Sequence, residues 1–137
     1  MKDFLNERVK HREAFRPFAP VVHSDKAGDY FDVLDESPFM TLAPRVRRDK
    51  LDVIPSAIHV DGTARLQTLR RETNPRYWDV IDAFGARTGV YVVLNTSLNR
   101  RGEPIACAPE DAVAMFQGSD MDVLVLGNYS VERQRSG

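Results

Sequence analysis

The sequence predicts an α/β fold in which a mixed sheet is flanked by helices, and three observations lead to this class. In the second half of the 137-residue chain, the residue patterns alternate as strand, helix, strand, helix, strand. Residues 90–94 and 122–127 are almost continuously apolar, as expected for strands covered on both faces. The length, with 42% hydrophobic and 28% charged residues, matches one globular domain that spans residues 1–137.

The first half of the chain predicts a helix followed by extended segments. Residues 3–9 place Phe4, Leu5 and Val9 on one helical face. The prolines within residues 16–22 predict an extended segment, because a proline disfavours the helical conformation of the residue before it. Three further stretches follow, namely a short element at 30–34 within a polar connection, a strand candidate at 39–43 and an arginine-rich loop at 45–53.

The second half predicts a hairpin and two helices. Residues 57–60 and 65–69 alternate around Asp61-Gly62, a dipeptide typical of a two-residue hairpin turn. A helix begins with Asn74 as N-cap and ends near Gly85 or Gly89, and a second helix opens at residue 109. The apolar residues expected to face the core are Tyr77, Ile81 and Phe84 in the first helix and Val113, Met115 and Phe116 in the second.

Composition and charge exclude several classes of protein. The single cysteine, Cys107, rules out a disulfide framework and a multi-cysteine zinc site, and its position between alanines predicts a small buried residue. A net charge of −1 argues against a nucleic-acid partner bound by bulk charge. No apolar run reaches the ~18 residues that a membrane span needs, and the N-terminus lacks a signal-peptide pattern. We therefore expect a cytoplasmic protein with no membrane partner.

The first of three polar clusters lies in residues 8–16, which hold three arginines and Lys10. If the first helix continues to Ala14, Arg8 and Arg12 share a face at the i, i+4 spacing. Like charges repel there unless an anion lies between them, and guanidinium groups suit phosphate or carboxylate. The alternative is a solvated basic face, which the pattern alone favours.

The second cluster surrounds the predicted turn and contains His59, Asp61, Thr63, Arg65 and Gln67. Asp61-Gly62 is enough to form the turn, so the turn itself does not require the other polar side chains. Their presence, as four hydrogen-bonding side chains beside one turn, favours a binding site. The alternatives are a core or rim histidine and an exposed strand arginine.

The third cluster is the loop that follows residues 90–94. Loops that leave the carboxyl ends of strands bind ligands in open α/β sheets, although polar residues are also common in ordinary turns. The sequence contains no P-loop, no G-x-G-x-x-G and no G-x-S-x-G motif. The residues therefore indicate an anion-binding α/β domain with a phosphorylated ligand. The loop's polar side chains are Asn95, Thr96, Ser97, Asn99, Arg100 and Arg101.

The three clusters together resemble the C-terminal domain of the O-carbamoyltransferases of the nodulation and antibiotic-tailoring family. The resemblance covers nearly the whole chain in the family's order and spacing. The segments that carry it are residues 5–20, Ser37-Pro38-Phe39-Met40, His59-Val60-Asp61-Gly62-Thr63-Ala64-Arg65-Leu66-Gln67, Leu94-Asn95-Thr96-Ser97-Leu98-Asn99, Gly102-Glu103-Pro104-Ile105 and Pro109-Glu110-Asp111-Ala112.

This resemblance implies a YrdC-like α/β fold, a single domain with a mixed, twisted sheet flanked by helices. It implies a module that makes carbamoyl-adenylate from carbamoyl phosphate and ATP, with Mg²⁺ accompanying the ATP and no metal ligands in this chain. A Kae1-like transferase domain, usually N-terminal and iron-containing, would then carbamoylate a hydroxyl group. The alternatives are a non-catalytic nucleotide- or RNA-binding module and a subunit that only stabilises a transferase.

The resemblance also implies roles for individual residues, expected to meet at one pocket. Lys10, Arg12 and Arg16 would hold phosphate groups, and Arg65 would reach the same anion from the hairpin. Members of the family carry a Gly-Pro-Arg-Ala-Leu-Gly-type segment just before this start, and a transferase domain before that. We therefore expect either a truncated chain or a separate subunit. The remaining assigned residues are Asn95 and Ser97, which would bind the carbamoyl amide or the nucleotide, and His59, Asp61 and Thr63, which would shape the pocket floor.

Overall fold

A computed structural model describes residues 1–134 and confirms the α/β class. The chain divides into two compact units. One unit contains residues 17–96, and the other contains residues 1–16 together with residues 97–134. None of the helices within residues 1–134 is both long and apolar enough to cross a membrane.

The unit of residues 17–96 is built on a mixed three-stranded sheet. Strand β1 (Ala19–His23) lies in the centre, parallel to β2 (Gln67–Leu69) and antiparallel to β3 (Val92–Asn95). Every residue of β1 is buried. Pro20 has no N–H to donate, and it fits here because the pairing with β2 begins only at Val21.

Helix α3 (Pro75–Thr88) covers one side of this sheet, with the boundaries that the sequence predicts. The Asn74 side chain accepts a hydrogen bond from the Tyr77 N–H at 3.1 Å, and Gly89 ends the helix in the left-handed conformation at φ +76°. Ile81 is fully buried and packs with Val21 of β1. The helix therefore fixes the sheet from which β3 leads into the third polar cluster.

The other side of the sheet packs against irregular chain. A turn of 3₁₀-helix (Ser24–Lys26) and helix α2 (Ala27–Tyr30) follow β1, and two more 3₁₀ turns lie at Arg48–Lys50 and Pro55–Ala57. The segment 27–31, expected to be a surface connection, contributes to the core. The buried residues gathered there are Val22, Ala27, Tyr30, Phe31, Val46, Ile54, Ala64, Leu66 and Val92.

Three sequence expectations for this unit are wrong. Strand β3 is an edge strand and only partly buried, because the central position belongs to β1. Residues 39–43 form no strand, since Phe39 is 83% exposed and only Leu42 pairs, with Leu66. Residues 57–60 and 65–69 form no hairpin: the turn at Gly62 exists, with φ +81°, but the chain after it pairs elsewhere.

The second unit contains the N-terminal helix and a small α/β element. Helix α1 (Lys2–Phe4) continues as a π-helix (Leu5–Val9). Helix α4 (Pro109–Gln117) begins at the predicted residue and packs against β4 (Val123–Leu126), which pairs antiparallel with β5 (Tyr129–Glu132). The buried side chains of this contact are Ala112 and Phe116 from α4 and Leu124 from β4.

Three expectations also fail in this unit. Strand β4 is buried only at Leu124, because it belongs to a two-stranded sheet rather than to a large one. Cys107 is exposed. The first helix ends at Val9 and His11 has φ +50°, so Arg8 and Arg12 do not share a helical face. Arg8 instead lies 3.9 Å from Asp120 in an exposed ion pair.

Candidate functional site

The ammonium group of Lys10 lies at the centre of a polar cluster in the unit that contains residues 1–16 and 97–134. Lys10 is only 4% exposed. Its Nζ donates to the backbone oxygens of Ser97 and Asn99, both at 2.6 Å, and to Asn99 Oδ1 at 2.9 Å. The Ser97 hydroxyl lies 3.4 Å from this Nζ and donates to Asn99 Oδ1 at 2.6 Å. Lysine has three N–H donors, so the cluster uses all of them.

Two further cations, Arg12 and Arg16, lie close enough to this lysine to act on its charge. Among residues 1–134, Lys10 forms no salt bridge. Burial, and then the nearby charges of Arg12 and Arg16, lower the pKa of Lys10 from 10.5 to about 8. An anion placed here would relieve both effects, because it supplies the opposite charge that the protein lacks.

Asn6 positions the arginine-bearing segment that follows the first helix. Its side chain is fully buried, and its Nδ2 donates to the backbone oxygens of Ala14 at 3.1 Å and Arg16 at 2.8 Å. Its Oδ1 accepts a hydrogen bond from Arg12 Nε at 2.7 Å. One buried amide thus replaces the helical hydrogen bonds that end at Val9 and fixes the course of residues 12–16.

Glu13 connects two of the guanidinium groups in this unit. Its carboxylate lies 3.7 Å from Arg16 and 3.3 Å from Arg101. A hydrogen bond from its own backbone N–H, followed by the charges of Arg101 and Arg16, lowers the pKa of Glu13. Two cations share one anion here, so this group also keeps a net positive charge.

In the unit of residues 17–96, the turn at residues 59–63 is held by its own side chains. Asp61 Oδ1 accepts from the Thr63 hydroxyl at 2.7 Å and from the Thr63 N–H at 3.0 Å, and the hydroxyl bond is the larger cause of the lowered pKa of Asp61. His59 Nδ1 lies 3.0 Å from Thr63 Oγ1. These three predicted residues therefore form one connected turn.

Arg65, Gln67 and Asn95 lie in the same unit as that turn. Asn95 Nδ2 donates to Gln67 Oε1 at 2.7 Å, which links the ends of β3 and β2. Gln67 Nε2 in turn donates to the backbone oxygen of Pro38 at 3.0 Å. Arg65 is exposed, and its side chain forms no hydrogen bond or ion pair with residues 1–134.

The predicted site residues thus form two groups, one in each unit. Lys10 contacts Ser97 directly, and Arg12 and Arg16 are close enough to lower its pKa. His59, Asp61 and Thr63 form the second group with Arg65 and Asn95 on neighbouring segments. The meeting of both groups at one pocket stays a prediction.

Two residues that the sequence did not assign to the site are important in this geometry. Asn99 binds Lys10 through two oxygens, and its place two residues after Ser97 in a polar loop was the available signal. The importance of Asn6 could not be predicted, because nothing in the sequence indicates that an asparagine in a predicted helix will be fully buried.

No cluster of ligands for a protein-bound metal is found in the part of the chain that the structure describes. Within residues 1–134, no three His, Cys, Asp or Glu side chains are placed together so that they could hold a metal ion. The donor groups present are cations, amides and hydroxyls, which suit a phosphate-bearing ligand.

A buried lysine with two nearby arginines, fixed by amide side chains, is the candidate site of this α/β chain. The chain belongs to the family described as carbamoyltransferase C-terminus, whose model matches residues 1–133.

Known relatives agree with this family. The chain is 46% identical over 136 residues to nodulation protein NolO of Bradyrhizobium diazoefficiens, an alignment that covers 97% of this chain and 25% of the relative. It is 46% identical over 136 residues to nodulation protein NolNO of Sinorhizobium fredii, covering 97% of this chain and 20% of the relative. It is 37% identical over 132 residues to 3'-hydroxymethylcephem-O-carbamoyltransferase of Amycolatopsis lactamdurans, covering 96% and 25%. The chain thus spans a quarter or less of the length of these relatives.

Proposed function

We propose that this chain is the carbamoyl-adenylate-forming part of an O-carbamoyltransferase. Carbamoyl phosphate, ATP and water would give carbamoyl-adenylate, phosphate and pyrophosphate, with Mg²⁺ bound by the ATP. A Kae1-like transferase domain or subunit, in which an iron ion is expected, would pass the carbamoyl group to a hydroxyl. Family membership and the relative named as an O-carbamoyltransferase support this proposal.

The observation that carries the proposal is the buried ammonium of Lys10 with Arg12 and Arg16 nearby and no salt bridge of its own among residues 1–134. Two polyanionic substrates repel each other, so catalysis must first offset their charge and hold them in position. Cations that are already fixed by Ser97, Asn99 and Asn6 supply that field without reorganisation.

The predicted site residues have different roles in this proposal. Arg12 and Arg16 bind phosphate oxygens, whereas Lys10, whose three N–H groups are already held by Ser97 and Asn99, attracts the phosphate through its charge. Within the unit of residues 17–96, Arg65 binds a phosphate group. In that unit Asn95 binds the carbamoyl amide or the nucleotide, and the turn of His59, Asp61 and Thr63 shapes the floor of a pocket.

The test is the exchange of labelled pyrophosphate into ATP, measured with the full chain alone and with a Kae1-like transferase. We expect exchange that depends on carbamoyl phosphate. Arg65→Ala should weaken carbamoyl phosphate or ATP binding by ~1.5–3 kcal/mol without changing the melting temperature, because its exposed side chain forms no hydrogen bond or ion pair with residues 1–134. Arg76→Ala, which removes another exposed arginine, is the control. A folded chain that shows no exchange in either setting would overturn the proposal.

The affinity for carbamoyl phosphate should fall as the pH rises above about 8. The pKa of Lys10 is lowered to about 8 in the free protein, and bound anion would raise it again. The protonated form therefore binds the anion more tightly, and each pH unit above 8 should cost about tenfold in affinity until the higher pKa of the complex is reached. Titration calorimetry between pH 7 and pH 10 measures this, and Lys10→Arg should flatten the profile. A flat profile for the unsubstituted chain would contradict the role of Lys10.

A further inference from the structure

Arg45 lies opposite the segment that carries Thr63 and Arg65, although neither the motifs nor the family roles drew attention to it. Arg45 pairs with Thr63, and Leu42 pairs with Leu66, both antiparallel. The backbone hydrogen bonds from Ala64 to the oxygen of Pro44, at 3.0 Å, and from Leu66 to the oxygen of Leu42, at 3.2 Å, follow the same register. This register also places residue 43 opposite residue 65.

The two paired segments have one buried face and one polar face. Ala64 and Leu66 are fully buried, and Val46 is 6% exposed. In two paired strands, residues that lie opposite each other are on the same face, and so are residues two positions apart on one strand. Arg45 therefore lies on the exposed face together with Thr63, which is opposite it, and Arg65, which is two positions further on. Residue 45 is then the diagonal neighbour of residue 65. The Cβ atoms of such neighbours are about 7–8 Å apart or less, so two arginine side chains at these positions can reach the same ligand.

Neither arginine forms a salt bridge with residues 1–134. Both are exposed, and their side chains form no hydrogen bond or ion pair there. Two guanidinium groups side by side repel each other unless an anion lies between them, and their N–H groups match the oxygens of phosphate. The backbone of Arg45 is fixed independently of its side chain, since its oxygen accepts from the Asp32 N–H at 2.9 Å.

A cavity of about 710 Å³ adjoins Arg45, and its charged lining residues are Arg45, Arg47 and Arg48 together with Asp32 and Asp49. Its volume lies in the range of ~300–1,000 Å³ typical of small-molecule sites. Arg48 is exposed and forms no ion pair with residues 1–134. The carboxylate of Asp49 lies 3.5 Å from Arg47 and 3.3 Å from Lys50, so it is already balanced by protein cations.

We propose that Arg45 and Arg65 bind the same phosphate-bearing ligand and that a polyphosphate chain extends from them into the cavity lined by Arg47 and Arg48. We expect a polyphosphate rather than a single phosphate, because Arg47 and Arg48 place further positive charge beyond the pair of Arg45 and Arg65. That the natural ligand is the nucleoside triphosphate rests on the proposed function, whereas the binding of polyphosphate does not.

The test uses inorganic tripolyphosphate as the probe, with binding to the full chain measured by titration calorimetry. Arg45→Ala and Arg65→Ala should each weaken binding about tenfold or more, as expected for hydrogen bonds between charged groups. Arg76→Ala removes the same charge from an exposed position on α3 and should change the affinity less than twofold. Arg45→Gln keeps the side-chain stem and should behave like Arg45→Ala, which separates binding from folding.

The outcomes distinguish this inference from the proposed function. If Arg45→Ala and Arg45→Gln bind tripolyphosphate as tightly as Arg76→Ala does, the shared site is wrong even when the chain catalyses exchange. If the unsubstituted chain does not bind tripolyphosphate, it is wrong as well. If binding depends on both Arg45 and Arg65 but no exchange occurs with or without a transferase, the inference stands and the proposed function fails.

Discussion

Replacing Lys10 by methionine is expected to weaken binding of carbamoyl phosphate and ATP about 100-fold or more. Methionine keeps most of the volume but removes the buried positive charge that, in the proposal, attracts the phosphate groups. It also leaves the backbone oxygens of Ser97 and Asn99 without their donor, so the loop that carries them loses its anchor. Truncating one partner of a buried, hydrogen-bonded charge pair costs ~2–5 kcal/mol in binding, which matches this loss.

A matched control separates this effect from a change in net charge. Arg8→Met removes one positive charge from the same unit, at an exposed ion pair of 3.9 Å with Asp120 that contributes little to stability. We expect its affinity to stay within twofold of the unsubstituted chain. Circular dichroism confirms that each variant is folded at the assay temperature. Unchanged binding by folded Lys10→Met would mean that the ammonium has only a structural role.

Replacing Gly85 by alanine is expected to destabilise the unit of residues 17–96 by about 2 kcal/mol. Gly85 is buried in α3, and a Cβ there would overlap the ring of Tyr91. Other groups surround that ring, since Lys26 Nζ lies 4.4 Å from its centre and the centre of the His23 ring lies 6.1 Å away. The backbone of Tyr91 is fixed as well, because its N–H donates to Tyr30 Oη at 2.9 Å. Overpacking costs ~1–3 kcal/mol, more than the gain in helix propensity.

Thermal unfolding measures this effect, and Gly28→Ala provides the control. A loss of about 2 kcal/mol should lower the melting temperature by about 6–10 °C in a chain of this size. Gly28 lies in α2, and a methyl group added there would meet no atom within 4 Å, so alanine should leave stability unchanged or raise it slightly. Equal melting temperatures for both variants would contradict the close packing of α3 against Tyr91.

The parts of the fold that the sequence predicted well are those with strong local signals. Helix α3 has an N-cap at Asn74 and a left-handed glycine at Gly89, so its limits are encoded within a few residues of each end. Helix α4 begins at Pro109, where the Asp111 carboxylate accepts from the N–H groups of Cys107 and Ala108 at 3.0 and 2.9 Å. Local chemistry decides both helices.

The errors arose where distant partners decide the structure. An apolar run such as residues 90–94 does not reveal which strand will be central, and that position went to the proline-containing β1. Residues 39–43 pair poorly because the Ser37 hydroxyl lies between two backbone groups that would otherwise bond directly. It accepts a hydrogen bond from the Leu42 N–H at 3.2 Å and donates one to the Leu66 oxygen at 2.9 Å. Pro44, which has no N–H, interrupts the pairing again.

The candidate site was predictable in its residue types but not in its connections. The sequence singled out Lys10, Arg12, Arg16 and Ser97, and the structure shows that Lys10 contacts Ser97 and Asn99. The sequence did not show that Lys10 would be buried against Ser97 and Asn99 or that Asn6 would be fully buried, because tertiary contacts decide both. Burial of a single polar side chain is a tertiary property and leaves no periodic signal.

The central claim is that the anionic substrate binds close enough to the buried Lys10 ammonium to be held by its charge. Its most direct test is an NMR titration of the Lys10 side-chain nitrogen, with and without saturating carbamoyl phosphate. We expect a pKa of about 8 in the free protein, because burial and the neighbouring arginines lower it, and a clearly higher pKa in the complex. A pKa that is the same in both states would contradict the claim.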